Sequence, residues 1–92
     1  MHYVYFLLLR NGQIYTGSTK DLKQRLSQHE NGHADFTRKF LPVILLGYEA
    51  YKLKSDAERR ERYMKTTEGK RLFRQQYRDI IVELSKIVNQ GP

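Results

Sequence analysis

Residues 3–18, YVYFLLLRNGQIYTGS, contain the pattern that decides the fold. The segment HYVYFLLLR at 2–10 is rich in β-branched and aromatic residues, which favours a β-strand. Asn11-Gly12 is the strongest short signal for a tight turn. The following GQIYTG is predicted to be the returning strand, ending at Gly17. The stretch therefore predicts an antiparallel hairpin with Tyr5 in one arm and Tyr15 in the other.

The length of the hairpin loop decides whether Tyr5 and Tyr15 lie on the same face, because side chains alternate along a strand. A two-residue loop puts the two tyrosines on opposite faces. A three-residue loop with Gly12 in the left-handed conformation pairs Tyr5 with Gly17 and puts both tyrosines on one face. The residues alone permit both registers, and a strand tyrosine most often serves packing.

The rest of the chain predicts helices around one further strand. Residues 18–32 predict a helix that Ser18 or Thr19 caps and Gly32 ends. Residues 33–41 predict a loop, 43–51 a third strand, 55–66 a helix with Ser55 and Glu58 in a capping box, and 68–88 further helix, with a separate start near Gly69. The order β-β-α-β-α-α(-α) predicts an α+β fold in one domain spanning 1–92: a small three-stranded antiparallel β-sheet flanked by α-helices.

Composition points to an anionic partner. The chain of 92 residues has a net charge of +7, and its 52–78 segment has ten basic residues against four acidic ones. This excess favours nucleic acid over a membrane surface. There is no cysteine, which excludes disulfides and thiolate zinc sites. With no apolar run of about 20 residues and no signal peptide, we expect a soluble, cytoplasmic protein without a membrane partner.

Three charged or titratable side chains lie on or beside apolar helix stripes. An arginine beside such a stripe most often extends outward to solvent, and the alternative for Arg25 is that it binds phosphate. Arg25 and His29 are four residues apart and lie on one helix stripe beside the apolar seam of the first helix. Glu61 shares a stripe with Ala57 and Met64 in the second helix, where an apolar residue is expected. A carboxylate there needs a partner, a proton or a metal. An ion pair of Glu61 with the lysine four residues later is the alternative explanation.

These residues together resemble the GIY-YIG nuclease family. The resemblance rests on YVY at 3–5, YTG at 15–17, the ten residues from Tyr5 to Tyr15 and from Tyr15 to Arg25, and the later helical Glu61. It covers nearly the whole chain and is greatest for small stand-alone members. Tyr3 stands in place of the first-motif glycine, Ser18 in place of a lysine found in excinuclease members, and Phe73 near the position of an asparagine found in many members.

The resemblance implies an endonuclease that hydrolyses phosphodiester bonds in DNA with a single Mg²⁺ or Mn²⁺ ion. It implies catalytic roles for Tyr5, Tyr15, Arg25, His29 and Glu61, with Glu61 as the metal ligand. Tyr5 is the expected general base and His29 the alternative one. The shared site requires the three-residue hairpin loop.

The candidate partner is therefore DNA, with branched or single-stranded forms as candidate substrates, and cutting is expected to be structure-directed or weakly sequence-specific, in repair or processing. The alternative is a nucleic-acid-binding module of the same fold that cuts poorly or not at all. A separate protein is a candidate for supplying targeting. The residues expected to contact nucleic acid lie at the predicted first helix start and in the basic segments: Gly17, Ser18, Lys20, Arg38, Lys39, Arg60, Lys65, Lys70 and Arg71.

Overall fold

The computed structural model of the chain describes residues 1–88, apart from the side chains of residues 85, 87 and 88. It consists of β1 (His2–Leu8), β2 (Ile14–Thr19), α1 (Leu22–Glu30), a 3₁₀ turn (Thr37–Phe40), β3 (Ile44–Tyr51), α2 (Lys54–Met64), α3 (Thr67–Gln76) and α4 (Arg78–Val88). The strands form one antiparallel sheet in the order β2-β1-β3. The predicted α+β class and element order are confirmed. In the described part of the chain, no helix combines the length and apolarity needed to cross a membrane.

The loop between β1 and β2 has the three residues that a shared tyrosine face requires. The Leu9 amide donates to the Gln13 carbonyl at 2.9 Å, and the Gly12 amide donates to the Leu9 carbonyl at the same distance. Gly12 has a φ of +88°, which favours glycine. As a result Tyr5 lies opposite Gly17, and both tyrosines point to one face of the sheet. The register needed for the shared site is confirmed.

Strand β1 lies in the centre of the sheet and is covered on both faces. Its Val4, Phe6 and Leu8 pack under α2, α3 and α4. The alternate residues, including Tyr5 and Leu7, pack with the partly buried apolar residues of α1 and with Phe40 of the 3₁₀ turn. All side chains from Val4 to Leu9 are buried, which explains the uninterrupted apolar run. The two faces therefore form separate cores.

The prediction that β2 ends at Gly17 and that Ser18 or Thr19 caps the first helix is wrong. Ser18 and Thr19 pair with Val4 and Tyr3 of β1, so the chain stays extended through Thr19. The cap of α1 is Asp21, whose carboxylate accepts the Gln24 amide at 3.0 Å. The backbone amides of residues 17–19 therefore belong to a strand and offer no helix-terminal anion site. Gly32, with a φ of +76°, follows the end of α1 as predicted.

The helical second half differs from the prediction in its caps and its breaks. Helix α2 begins at Lys54, so Ser55 lies inside it, and Leu53 at the cap position makes no side-chain hydrogen bond. The predicted capping box is therefore wrong. The predicted separate helix start near Gly69 is confirmed: α3 begins at Thr67, and the Thr66 hydroxyl accepts the Gly69 amide at 3.0 Å. Gly69 lies against the Tyr63 carbonyl, where a Cβ would not fit. A second break at Tyr77 separates α3 from α4, and part of the predicted loop 33–41 forms the 3₁₀ turn.

Thr66, which caps a helix, and Ser55, which does not, are expected to differ in their contribution to stability. Thr66→Ala removes the oxygen that satisfies the Gly69 amide, and we expect it to lower the free energy of unfolding by about 1 kcal/mol. Ser55→Ala is the matched control, because Ser55 has no capping role, and it should change stability by less than about 0.5 kcal/mol. Urea unfolding measures both. A loss of stability in Ser55→Ala larger than this limit would contradict the assignment and support the predicted capping box.

Candidate active site

Tyr5 lies at the centre of a buried polar chain. Its hydroxyl oxygen is 2.9 Å from Nε2 of His29, and Nδ1 of His29 is 2.7 Å from the hydroxyl of Thr37. His29 and Thr37 are fully buried, and Tyr5 is 1% exposed. Helix α1 supplies His29 and the 3₁₀ turn supplies Thr37, so three separate elements hold the chain together. Buried polar groups of this kind need their partners, which fixes all three side chains.

The hydrogen-bond partners determine which group donates and which accepts along this buried series of side chains. Nε of Arg25 can only donate, and it points at the Tyr5 hydroxyl oxygen at 3.4 Å. The Tyr5 proton then needs an acceptor, which the lone pair of His29 Nε2 provides. His29 therefore carries its proton on Nδ1 and donates it to the Thr37 hydroxyl. We assign this tautomer because it gives both the Tyr5 hydroxyl proton and the His29 ring proton an acceptor.

Arg25 is held against the tyrosines from its own helix. Its Nη1 donates to the side-chain oxygen of Gln28 at 2.9 Å, one turn further along α1. The side chain is only partly covered. The hydrogen bond to Tyr5 is the largest of the causes that raise the pKa of Arg25, and Tyr15 contributes in the same direction. Tyr15 also lies near Tyr5 and His29, with ring centroids 6.3 Å and 5.2 Å away. The structure thus brings together four of the five predicted catalytic residues.

Burial decides the protonation states of the cluster. Desolvation raises the pKa of Tyr5 to about 12, although the hydrogen bond from Arg25 acts to lower it. Desolvation also lowers the pKa of His29 to about 4, and the charge of Arg25 lowers it further. Both groups are therefore neutral at pH 7. His29 is a neutral imidazole there, with the Nε2 lone pair directed at Tyr5, and Tyr5 is a phenol and not a phenolate.

Position 17 must be glycine because there is no space for a side chain beside Tyr5. A Cβ atom on Gly17 would lie 2.5 Å from the Tyr5 hydroxyl oxygen and 2.6 Å from its ring carbon Cζ. Any other residue would displace the phenol or the strand. The Tyr5 side chain therefore crosses over Gly17 and brings its hydroxyl to β2, the edge strand of the sheet.

Glu61 is held by two donors. The Ser18 hydroxyl donates to Oε1 at 2.6 Å, and the Lys65 ammonium donates to Oε2 at 2.8 Å. Partial burial acts to raise the pKa of Glu61, but the hydrogen bonds from Lys65 and Ser18 outweigh it and hold the pKa below its ordinary value. The carboxylate is ionised at neutral pH. The ion pair of Glu61 with Lys65, one of the two explanations that the sequence offered, is present. It does not exclude a role in an active site, since the same carboxylate lies beside β2.

The two parts of the site meet at consecutive residues of the edge strand. Gly17 faces Tyr5 and the cluster under α1, while Ser18 faces the opposite side and bonds to Glu61 of α2. The Glu61 charge still reaches Tyr5 and adds to the rise of its pKa. The peptide between Gly17 and Ser18 therefore joins a proton-accepting cluster to a carboxylate.

The donor set fits one Mg²⁺ or Mn²⁺ ion held by Glu61. In the described residues no group of three or more His, Cys, Asp or Glu side chains could form a multidentate cage. Mg²⁺ commonly binds through one or two carboxylates and keeps several waters, so Glu61 alone suffices on the protein side. Lys65 is 55% exposed and can swing away from Oε2, while Ser18 holds Oε1 in place.

The residues predicted to contact nucleic acid lie in different surroundings. Lys20, Arg38, Lys39 and Lys70 are exposed. Arg71 pairs with Glu68 at 3.0 Å on the surface. Arg60 binds both carboxylate oxygens of Glu49, at 3.0 Å and 3.4 Å, and lies over the ring of Tyr63. Its charge is already compensated, so its predicted role is the weakest of the set.

Two residues of the cluster were missed by the sequence prediction. Thr37 lies in the segment predicted as a loop, and Gln28 was treated only as part of the helix. Gln28 is three residues after Arg25, and this spacing could have pointed to it. Nothing in the local pattern marks Thr37, because its contact with His29 depends on how the chain folds back. Phe73, near the family asparagine position, is a buried core residue stacked on Tyr77.

The fold and this arrangement of side chains define an α+β domain with a buried polar cluster and a carboxylate at one edge of its sheet, and comparison with known proteins identifies the family. The family model described as the GIY-YIG catalytic domain matches residues 1–77. The chain belongs to the GIY-YIG family.

Its relatives include small proteins named UPF0213. The UPF0213 protein SAG0778 of Streptococcus agalactiae is 40% identical over 80 residues, which cover 84% of this chain and 91% of the relative. The UPF0213 protein SSP2268 of Staphylococcus saprophyticus is 39% identical over 66 residues, covering 71% and 80%. The solution NMR structure of the UPF0213 protein BH0048 from Bacillus halodurans matches with a TM-score of 0.54 and 33% identity, over 82% of this chain and 83% of that one.

The depressed pKa of His29 predicts a pH-dependent stability. In the unfolded chain His29 titrates near its ordinary value of 6.5, but in the folded protein near 4. The unfolded state therefore takes up the proton first, and the stabilisation present above pH 6.5 is lost as the pH falls to about 4. We expect this group to contribute a loss of about 3 kcal/mol over that range.

Urea unfolding between pH 7 and pH 4 measures this loss. His29→Gln should flatten the pH dependence relative to the wild type, whereas His33→Gln, an exposed histidine, should leave it unchanged. Identical slopes for the wild type and His29→Gln would mean that His29 is not buried as a neutral group.

Proposed function

We propose that this protein is a divalent-metal-dependent DNA endonuclease that hydrolyses phosphodiester bonds in DNA repair or processing in the cytoplasm. Cutting would be structure-directed or weakly sequence-specific, on branched or single-stranded DNA. The observation that carries the proposal is the meeting of the Tyr5–His29–Arg25 cluster and the Ser18-bound Glu61 at adjacent residues of β2. Membership of the GIY-YIG family supports the chemistry.

Arg25 is the group that binds the phosphate to be cut. Its fork is anchored by Gln28 and Tyr5 through Nη1 and Nε, and it is partly open to solvent. Planar guanidinium groups match phosphate oxygens in a way that lysine does not. As the attacking water bonds to phosphorus, negative charge grows on the non-bridging oxygens, and the fixed positive charge of Arg25 stabilises it.

Tyr5 and His29 act as a pair in removing the proton from water. A neutral phenol with a pKa of about 12 accepts that proton only if it releases its own, and the hydrogen bond to His29 Nε2 provides the route. The Tyr5 oxygen then takes the water proton while Nε2 takes the Tyr5 proton. The oxygen–phosphorus bond forms, the bond to the leaving oxygen breaks, and that oxygen takes a proton from solvent. His29 then returns its extra proton to solvent through Tyr5, which restores the neutral pair. Tyr5 and His29 therefore cooperate rather than compete as bases.

Substrate binding strengthens His29 as a proton acceptor. In the free protein the positive charge of Arg25 helps to lower the His29 pKa. A phosphate on Arg25 offsets that charge, so the pKa of His29 rises when the substrate is in place. Thr37 holds the ring and accepts the Nδ1 proton in both states. Binding of the substrate therefore favours transfer of the proton to His29.

Glu61 would hold Mg²⁺ or Mn²⁺ after Lys65 moves away. When bound, such an ion supplies positive charge for the leaving oxygen. Ser18 keeps the carboxylate oriented during this exchange through its hydrogen bond to Oε1. The released Lys65 ammonium remains beside the site, where it can pair with DNA phosphate.

A second candidate function, a nucleic-acid-binding module that cuts poorly or not at all, is favoured by one observation. Both oxygens of Glu61 and the hydroxyl of Tyr5 have partners within the protein. A metal or a water must displace or share these bonds before chemistry begins. Metal-dependent cleavage distinguishes the two functions directly.

Cleavage assays with labelled branched and single-stranded DNA test the proposal. The wild type should nick DNA only with Mg²⁺ or Mn²⁺, and Tyr5→Phe and Glu61→Gln should each lower the rate by about 100-fold or more, since they remove the proton acceptor and the metal ligand. Arg25→Lys should also lower it, because the planar fork is lost.

Matched controls exist for Tyr5→Phe and for Glu61→Gln. Tyr51→Phe removes a hydroxyl that is bonded to Glu49 and whose pKa is also raised to about 12, but outside the cluster. Glu58→Gln changes a carboxylate on the same helix as Glu61. Both should retain cleavage. Salt-sensitive DNA binding by a wild type that never cuts would select the binding module instead.

A further inference from the structure

A cleft of about 540 Å³ lies along β2, next to the catalytic cluster. This volume is within the range of about 300–1,000 Å³ found for ligand sites. Tyr15 belongs both to the cleft and to the cluster, and Lys65 links the cleft to Glu61. The cleft is therefore continuous with the proposed active site but contains none of Tyr5, Arg25 and Glu61.

The cleft has an apolar interior with a basic rim. Leu9, Ile14, Met64 and Phe73 form its apolar walls, and Thr16 and Gln13 add neutral polar groups. Lys65, Lys70 and Arg74 are its charged lining residues, and no carboxylate is among the described residues that line it. Lys70, Phe73 and Arg74 follow the i, i+3, i+4 spacing on one side of α3. Positive charge above an apolar wall matches a molecule that has both a phosphate and a flat apolar face.

Phe36 supplies an aromatic surface at the mouth of this cleft. The ring is 56% exposed, although it is one of the large apolar side chains of the chain. It stacks on Tyr15 with ring centroids 6.0 Å apart and an interplanar angle of 26°. Phe36 thus presents one face to solvent and rests its other face on a residue of the catalytic cluster. Proteins that bind single-stranded nucleic acids use such rings as stacking surfaces beside basic grooves.

We infer that this cleft binds one unstacked nucleotide of the DNA strand next to the phosphate that is cut. The base stacks on Phe36 against the apolar walls, and Lys70 and Arg74 pair with its phosphate. The inference rests on the proposed function only for the nature of the ligand. It explains a preference for single-stranded or branched DNA, since a base in a continuous duplex is paired and stacked and cannot enter the cleft without being unstacked.

Binding of two fluorescein-labelled probes tests the inference, measured by anisotropy in EDTA so that no cleavage occurs. One probe is a strand of ten thymidines, and the other has the same number of phosphates but abasic sugars in place of nucleosides. Phe36→Ala should weaken binding of the thymidine strand about fivefold or more and leave the abasic strand within twofold. Phe36→Leu, which keeps the apolar volume but removes the ring, should behave like Phe36→Ala.

The basic residues should give a different pattern with the same probes. Lys70→Ala and Arg74→Ala should weaken both strands to a similar degree and each reduce the dependence on salt by about one ion. Arg59→Ala is the matched control for a lost positive charge, because Arg59 pairs with Asp56 on α2 and is not in the cleft. Tyr48→Ala removes a 52% exposed ring on β3, at the opposite edge of the sheet. Both controls should bind as the wild type does.

Several outcomes overturn the inference: no measurable binding of the thymidine strand, equal effects of Phe36→Ala on the two probes, or control variants that weaken binding as much as the cleft variants. Failure of the proposed function is distinguishable. Selective loss of thymidine binding in Phe36→Ala, in a protein that never cuts, supports the cleft and overturns the nuclease. Metal-dependent cutting by a protein whose DNA binding is unchanged by substitution of Phe36, Lys70 and Arg74 supports the nuclease and overturns the cleft.

Discussion

The pairing of Tyr5 with Gly17 is the constraint on which the site depends. It follows from the loop ending in Gly12, because one residue fewer would turn Tyr15 to the other face of the sheet. It also follows from the missing side chain at position 17, since the Tyr5 phenol occupies the space that a Cβ would need. Once Tyr5 is placed, His29 and Arg25 have a common partner, and Thr37 completes the buried series of hydrogen bonds through His29.

The strand order β2-β1-β3 gives this pairing its functional meaning. Tyr5 comes from the central strand, which is buried on both faces, and it reaches the edge by crossing over Gly17. Glu61 reaches the same edge from the other face through Ser18. A site at a sheet edge is accessible to an extended polymer without a deep entrance. The proposed nucleotide cleft runs along the same edge, which is consistent with a strand of DNA lying across β2.

Much of this arrangement could be predicted from the sequence, for identifiable reasons. The hairpin, the third strand and the helices follow from local patterns. The residues alone permitted two registers of the hairpin, and only the shared site implied by the family resemblance required the one that the structure has. Partners distant in sequence were harder to predict. Ser18 has the propensity of a helix cap, but pairing with Val4 keeps it in the sheet, where it holds Glu61 instead. Thr37 was missed because only the folding of a loop onto α1 brings it to His29.

The separation of the two cores has a consequence for how such a domain can change over generations. The carboxylate is anchored in the core under α2 and α3, and the proton chain in the core under α1, so each can be altered without unpacking the other. A lineage can therefore lose the Glu61 carboxylate or the Tyr5–His29 pair in a single step and still keep a folded domain with a basic surface. Gly17 is the exception, since it touches the proton chain directly and precedes the residue that holds the carboxylate. A side chain at position 17 would displace Tyr5 or the strand that carries Ser18.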